Sequence, residues 1–111
     1  MQTRIELEVL PQPRLDLPAP DVTAAVTAAQ VIGDPVRAAI LRMLADGPHC
    51  VCELAAALGA RDNNVSNHLA RLREAGLVHA GRNAVNGRFL YYERDEDACA
   101  LALRRVAELL A

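Results

Sequence analysis

Short helix-breaking segments divide this chain into helices that are too brief to be stable alone. Gly33–Pro35 and Asp46–Pro48 each combine glycine, aspartate and proline, while Gly59 and Gly76 are single glycines suited to helix ends. Between these breaks, apolar residues recur every three or four positions, as on one face of a helix. The helices predicted in this way span residues 21–32, 35–45, 51–58 and about 63–75.

The hydrophobic pattern changes after the fourth predicted helix. Leu77–Ala80 and Arg88–Glu93 favour strands, and the turn Asn83–Gly87 between them ends in Asn-Gly, a strong hairpin signal. The acids of Asp95–Asp97 then begin a last helix that runs to about Leu110. Four helices, a hairpin and a final helix predict a mainly α fold with a small β-hairpin, the winged helix-turn-helix.

The first 20 residues differ from the rest because they contain four of the six prolines. Closely spaced prolines exclude a regular helix, so residues 1–20 are expected to form an extended or disordered arm. Asp21 is a suitable N-cap for the first helix. Residues 21–111 are then predicted to form one winged helix-turn-helix domain.

The composition favours a homodimer. Alanine contributes 21 of the 111 residues, and the chain has only three aromatic residues. A core of small side chains buries little area, and a domain of this size already buries a modest fraction of its surface. Association with a second copy of the chain would supply the missing burial.

Hydropathy and cysteine content point to a cytoplasmic protein with no membrane partner. No apolar run approaches the ~20 residues of a membrane span, and Glu6 and Glu8 interrupt the apolar stretch near the N-terminus. In the cytoplasm, the three cysteines are expected to be thiols or metal ligands rather than disulfides. The sequence contains no recognisable nucleophile–base arrangement or phosphate-binding glycine loop, so an enzyme is not expected.

Positive charge is concentrated in one third of the chain. The net charge is −2, with twelve arginines and no lysine. Residues 61–94 nevertheless carry six arginines against three acids, a local charge of +3. Local charge matters more than total charge for contact with DNA, so this segment is the predicted binding region.

The fourth predicted helix carries side chains suited to reading double-stranded DNA. Val65, Leu69 and Leu72 lie on one helical face and are expected to pack inward, which leaves polar side chains on the opposite face. Asparagine and arginine form paired hydrogen bonds with adenine and guanine edges, whereas other polar contacts hold the phosphate backbone. The predicted base contacts are Asn64, Asn67, His68 and Arg71. The predicted phosphate contacts are Asn63, Ser66 and Arg73. Arg82 and Arg88 flank the wing turn and are predicted either to hold the DNA backbone or to enter a minor groove.

Two cysteines begin the third predicted helix. Side chains two residues apart on a regular helix point about 200° apart. Cys50 and Cys52 therefore converge only if Cys50 lies at or before the N-cap, and Pro48 makes such an irregular start reasonable. A helix N-terminus is expected to lower the pKa of a thiol, and paired thiolates prefer soft ions.

Several segments between about residues 30 and 95 form a recognisable pattern. The segments are Gly33–Arg37 with Ile40–Leu41, Cys50–Ala55, Val65–Leu69, Leu72–Val78, and Gly87–Arg88 leading to Tyr91–Tyr92. With this pattern the chain resembles the ArsR–SmtB family of bacterial metal-responsive repressors. The resemblance implies a winged-helix homodimer whose first and last helices form the interface. It also implies a repressor that binds operator DNA and is released by a metal or metalloid ion.

The Cys-Val-Cys segment resembles the arsenite-binding motif of this family and part of the cadmium and lead site of other members. The resemblance implies As(III), or another soft ion such as Sb(III), Cd(II) or Pb(II), as an inducer rather than a permanent cofactor. The third thiol of the arsenic-type motif corresponds to Ala55 here, and the N-terminal arm supplies no cysteine. Cys99 is the one remaining thiol and is the candidate third ligand beside Cys50 and Cys52. The alternative is a site of two thiols, alone or with His49 or solvent as a further ligand.

Other functions stay open at the level of sequence. The same cysteines would serve a thiol redox switch through a Cys52–Cys99 or intersubunit bond, because cysteines two residues apart rarely form an unstrained disulfide. A winged helix can also bind protein instead of DNA, although the basic segment disfavours this. A zinc or nickel site on the last helix is disfavoured, because residues 95–111 offer Asp95, Glu96 and Asp97 but no histidine.

Overall fold

The computed structural model describes residues 19–82 and 90–111. The predicted arm, apart from its last two residues, and the predicted turn with Arg88 lie outside the described residues. The described part contains five helices and three short strands. In chain order they are α1 (Ala19–Ile32), α2 (Pro35–Leu44), β1 (His49–Cys50), α3 (Val51–Leu58), α4 (Asp62–Glu74), β2 (Val78–Arg82), β3 (Leu90–Arg94) and α5 (Glu96–Leu110).

Helix α1 begins three residues before the position that an N-cap at Asp21 predicts. It starts at Ala19, so Asp21 lies within the first turn instead of capping the helix. Pro20 is compatible with this start, because the first-turn N–H groups have no partner inside a helix and the missing donor costs nothing there. Among the described residues no single helix is long and apolar enough to cross a membrane, although Val22–Ile32 and Pro35–Leu44, bent by 89°, would qualify as a pair on length and composition.

Helix α2 begins as the sequence predicts. Asp34 is its N-cap, and its Oδ1 accepts hydrogen bonds from the backbone N–H of Val36 at 2.8 Å and of Arg37 at 3.1 Å. Pro35 occupies the first helical position, where its fixed φ suits the helix. These backbone bonds, above all the one from Arg37, lower the pKa of Asp34.

The strands form one antiparallel sheet in the order β1-β3-β2. Strands β2 and β3 are the predicted wing, with Val78 opposite Arg94. Strand β1 is not predicted by the sequence, because two residues are too few to show an alternating pattern. It pairs His49 with Tyr92 and Cys50 with Tyr91, and so attaches the start of α3 to the wing.

The core lies between helices α2, α3 and α4 and the start of the wing. Val65, Leu69 and Leu72 are fully buried, as predicted, and they lie in one cluster with Ile40 and Leu54. The polar face of α4 is consequently turned outward, since the opposite face is committed to the core.

Helices α1 and α5 pack against each other. Val31 of α1 belongs to the core, and Ala98 and Ala102 of α5 pack against it. Every residue of α5 keeps part of its surface exposed, although the helix has a clear apolar face. Leu103 and Leu110 retain 70% and 85% of their surface. Val22 and Val26 of α1 are exposed as well, so apolar surface extends across both helices.

Candidate nucleic-acid interface and thiol pair

The exposed face of helix α4 carries the polar residues that the sequence singles out. The helix has an acid in its first turn, Asp62, and two arginines in its last turn, an arrangement that suits the helix dipole. Its N-cap is Arg61, so the helix starts one residue before the predicted start. Six of the predicted DNA contacts on this helix are exposed, namely Asn63, Asn64, Ser66, Asn67, Arg71 and Arg73.

A tight turn joins α3 to α4. Gly59 ends α3 in the left-handed conformation, with φ of 63°, and the N–H of Ala60 donates to the Ala55 carbonyl at 3.0 Å. A residue with a Cβ is strained at this φ, which explains the glycine. Three residues, Gly59 to Arg61, separate the two helices, which are the two parts of a helix-turn-helix.

His68 differs from the other predicted base contacts. Its side chain is 19% exposed and its Nδ1 lies 3.2 Å from Nη1 of Arg37 on α2. The sequence offers no signal for this contact, because 31 residues separate the two side chains and no local pattern links them. One ring nitrogen of His68 is therefore engaged inside the protein.

Of the two arginines predicted at the wing turn, only Arg82 lies within the described residues. Arg82 is the last residue of β2 and pairs with Leu90 across the hairpin. Arg88 belongs to the undescribed turn. The described strands establish the hairpin itself, directly after α4.

The thiols of Cys50 and Cys52 converge because Cys50 lies at the N-cap and not within the helix, which is the condition given in the sequence analysis. Cys50 is the N-cap of α3, with an extended backbone of φ −87° and ψ 168°. Its Sγ lies 2.7 Å from Sγ of Cys52, which is the second residue of the helix. Cys50 is 6% exposed whereas Cys52 is exposed, so the pair opens to solvent on one side only.

Glu53 holds the start of this helix in place. Its Oε1 accepts the backbone N–H of Cys50 at 3.0 Å, and it lies 3.2 Å from Nδ1 of His49. These contacts lower the pKa of Glu53, the Cys50 bond most. Glu53 thus fixes the backbone that positions the first sulfur, a function that its capping position could have suggested.

The expectation of a lowered thiol pKa is wrong for Cys52. Its pKa is raised, first by the hydrogen bond with the Cys50 thiol and then by desolvation. Once one of two adjacent sulfurs is deprotonated, the proton that remains between them is hard to remove, because its loss would place two negative charges side by side. An ion that binds both sulfurs would supply the missing positive charge and displace the protons.

Cys99 does not join the pair within this chain. Its thiol donates to the Leu77 carbonyl oxygen at 3.7 Å. Burial raises the pKa of Cys99, although the nearby positive charge of Arg94 acts to lower it. The described residues contain no group of three His, Cys, Asp or Glu side chains arranged to hold a metal ion. Ala55, which the sequence analysis matched to the third thiol of the arsenic-type motif, is buried in the core.

Comparison with known proteins shows the family of this chain. The profile described as "Bacterial regulatory protein, arsR family" matches residues 34–80. The HTH-type transcriptional regulator CmtR of Mycobacterium tuberculosis is 38% identical over 81 residues, which are 73% of this chain and 66% of that protein. The arsenic resistance transcriptional regulator ArsR1 of Pseudomonas putida is 40% identical over 62 residues, 55% of this chain and 46% of that protein.

A solved structure gives the same assignment. The crystal structure of a possible transcriptional regulator for arsenical resistance has a TM-score of 0.69 and 31% identity, over 76% of this chain and 84% of that one. The predicted winged-helix fold and family resemblance are confirmed. The relatives are transcriptional regulators by name, which agrees with the prediction of a non-enzyme. This chain belongs to the ArsR family of bacterial regulatory proteins.

Proposed function

We propose that this chain is a cytoplasmic transcriptional repressor that binds operator DNA as a homodimer and is released when a soft ion, As(III) foremost, binds Cys50 and Cys52. The observation that carries the proposal is the convergence of the two sulfurs at the N-cap of α3. Helix α3 is followed directly by α4, so an ion at this point would act on the support of the DNA-reading helix.

The DNA half of the proposal is supported by the outward face of α4. Amide side chains and Arg71 project from a helix whose apolar face is buried, and such groups recognise base edges in the major groove. The proposed base contacts are Asn64, Asn67, His68 and Arg71. The proposed backbone contacts are Asn63, Ser66, Arg73, Arg82 and Arg88.

The homodimer is supported by the apolar surface of α1 and α5. A side chain such as Leu103, with 70% of its surface exposed, is costly in a protein whose α5 has no fully buried residue. A second copy that places its own α1 and α5 here would cover both surfaces by two-fold symmetry. The same symmetry would present two α4 helices to an inverted repeat of DNA.

The inducer half is supported by the donor chemistry of the pair. Two thiols within contact distance of each other, one of them exposed, suit a thiophilic ion that arrives from solvent. When arsenite binds, each thiol replaces one hydroxide on arsenic, and its proton leaves with that hydroxide as water. When Cd(II) or Pb(II) binds, each thiol loses its proton to solvent. Within the described residues the pair supplies two sulfur ligands per protomer, and the remaining coordination falls to water or a second molecule.

The test is fluorescence anisotropy of the reduced protein on labelled DNA from upstream of its own gene. Arsenite, cadmium and lead are titrated separately, and an oxidant is added in a further run. Arsenite is expected to reduce the affinity for DNA by about five- to 150-fold, the usual range of allosteric coupling. Cys50→Ser and Cys52→Ser should bind DNA normally and not be released, whereas the matched control Cys99→Ser should respond as the wild type does.

Each other outcome has a defined meaning. Release by cadmium or lead alone would replace As(III) as inducer and keep the thiol site. Release by oxidant alone would favour the redox switch. DNA binding that no addition disturbs would refute the inducer half, and the absence of salt-dependent DNA binding would refute the repressor itself.

A further inference from the structure

We infer that Arg37 is a positioning residue that ties the DNA-reading helix α4 to the end of α1 and fixes the tautomer of His68. This inference rests on the proposed function, since it concerns how α4 is held for reading DNA. Arg37 lies on α2 and is not among the predicted DNA contacts. Its guanidinium reaches two other helices at once.

The first connection runs to the C-terminal end of α1. Arg37 Nε donates to the Val31 carbonyl oxygen at 2.5 Å, and Nη2 donates to the Gln30 carbonyl oxygen at 3.3 Å. The last carbonyls of a helix have no partner within the helix, and a guanidinium there both satisfies them and faces the negative end of the dipole. Arg37 therefore caps α1 from outside.

The second connection runs to α4. Arg37 Nη1 lies 3.2 Å from Nδ1 of His68. The guanidinium has donors and no acceptor, so Nδ1 must accept and carries no proton in this contact. The ring proton of neutral His68 then lies on Nε2, the nitrogen remote from Arg37, which leaves one donor for DNA.

Asp34 completes the junction without competing for the histidine. Its Oδ1 lies 3.9 Å from Nδ1 of His68, beyond hydrogen-bond distance. The same oxygen accepts the backbone N–H of Arg37 and so holds the arginine at the start of α2. One carboxylate, one guanidinium and one imidazole thus connect the end of α1, the start of α2 and the middle of α4.

This junction lies between the proposed dimer interface and the DNA. Helix α1 packs on α5 and carries exposed apolar surface, whereas α4 carries the exposed amides. In a dimer built on α1 and α5, the position of α4 relative to α1 sets the distance between the two reading helices. Half-site spacing in DNA must match that distance, so Arg37 should govern spacing selectivity.

The test compares Arg37→Lys with Arg42→Lys, an exposed arginine on the same helix. Both substitutions keep the charge, so nonspecific attraction to phosphate is unchanged, but one ammonium cannot reproduce the planar set of donors. The DNA is an inverted repeat selected from random duplexes by the wild type, with versions whose spacer is one base pair shorter or longer. Side-chain ¹⁵N spectra of the histidines report the His68 tautomer without DNA.

Arg37→Lys is expected to weaken binding to the best spacer by about tenfold, as for the loss of one charge-assisted hydrogen bond. Arg37→Lys should also discriminate less between spacers and give a mixture of His68 tautomers. Arg42→Lys should match the wild type in affinity, in spacer discrimination and in the His68 tautomer. Wild-type spacing selectivity and an unchanged tautomer in Arg37→Lys would overturn the inference. An equal loss of affinity at every spacer, with the tautomer retained, would assign Arg37 to stability alone and overturn it as well.

A second pair of variants covers the case in which Arg37→Lys does not fold. His68→Asn keeps an acceptor near the position of Nδ1, whereas His68→Leu removes it. Spacing selectivity is expected to survive in His68→Asn and to be lost in His68→Leu, and equal selectivity in both would contradict the inference. If the wild type selects no sequence from random DNA, the proposed function fails, and the ¹⁵N spectra still decide whether Arg37 sets the tautomer.

Discussion

The single side chain of Asp34 stabilises both the start of helix α2 and the packing of that helix against α1 and α4. It caps α2 through two backbone bonds, and it anchors the arginine that reaches α1 and α4. The capping function is readable from the Gly-Asp-Pro order in the sequence, because aspartate before proline suits a helix start. The tertiary function is not readable, because it depends on where α1 ends and where α4 passes.

The lowered pKa of Asp34 predicts a defined dependence of stability on pH. Its pKa lies below the ordinary value of 3.8, so the carboxylate stabilises the fold above that pH and loses the effect as pH falls through the lowered pKa. Asp34→Ala should therefore lower the melting temperature at neutral pH, and the difference from the wild type should shrink below pH 3.8.

Circular dichroism melts over a pH series would measure this effect. Asp46→Ala is the matched control, because Asp46 is an exposed acid in the turn after α2. The control should show a smaller change at neutral pH. A difference between Asp34→Ala and the wild type that grows at acid pH would contradict the assignment of the carboxylate as the stabilising form.

The thiol pair marks how far residue-level reasoning extends. The sequence predicts that Cys50 and Cys52 form a pair only if Cys50 lies at or before the N-cap of α3. Cys50 is that N-cap. The sequence does not predict the raised pKa of Cys52, because that shift depends on contact between the two sulfurs rather than on the helix end. Arg37 is likewise absent from the sequence-based site, since its partners lie on helices packed around it.

At the scale of elements, local signals predict helices well and the smallest strand not at all. Capping residues, glycines and apolar periodicity fix α2 to α5 to within a few residues. Strand β1 has two residues and forms only because β3 offers a free edge. The consequence is functional, since β1 includes Cys50 and thereby joins the thiol pair to the wing.

This pairing predicts that an ion at the thiols will disturb the wing as well as α4. Cys50 lies opposite Tyr91 in the sheet, so movement of its backbone to suit an ion must strain the short β1–β3 ladder. Arsenite is expected to speed amide hydrogen exchange in peptides that contain Tyr91 and Tyr92, while peptides from α1 stay unchanged.

Exchange measured by mass spectrometry would test this, with Cys52→Ser as the matched variant. The serine variant keeps the β1–β3 pairing and loses one ligand, so arsenite should leave its exchange unaltered. Faster exchange confined to α3 and α4 would show that the signal bypasses the wing.

At the scale of the whole molecule, apolar surface stays exposed on the two helices α1 and α5. The core around Ile40 and Leu54 is closed, whereas α1 and α5 present valines and leucines to solvent. The alanine-rich composition anticipates this, because small side chains fill space between helices but cover little surface. What the composition does not predict is which helices stay uncovered, because that follows from the topology around the core.

Leu103→Glu should therefore convert the proposed dimer into a folded monomer. Leu103 is 70% exposed on α5, so the charge is tolerated in one protomer but would be buried without a partner in the dimer. Sedimentation at micromolar concentration should show the monomer mass, with an unchanged helical signal in circular dichroism. Affinity for an inverted repeat should fall steeply, because each monomer then holds a single half-site. Ala57→Glu adds the same charge to an exposed site on α3 and should remain dimeric. A dimeric Leu103→Glu would exclude Leu103 from the interface, and a monomeric Ala57→Glu would show that the loss of the dimer is not specific to α5.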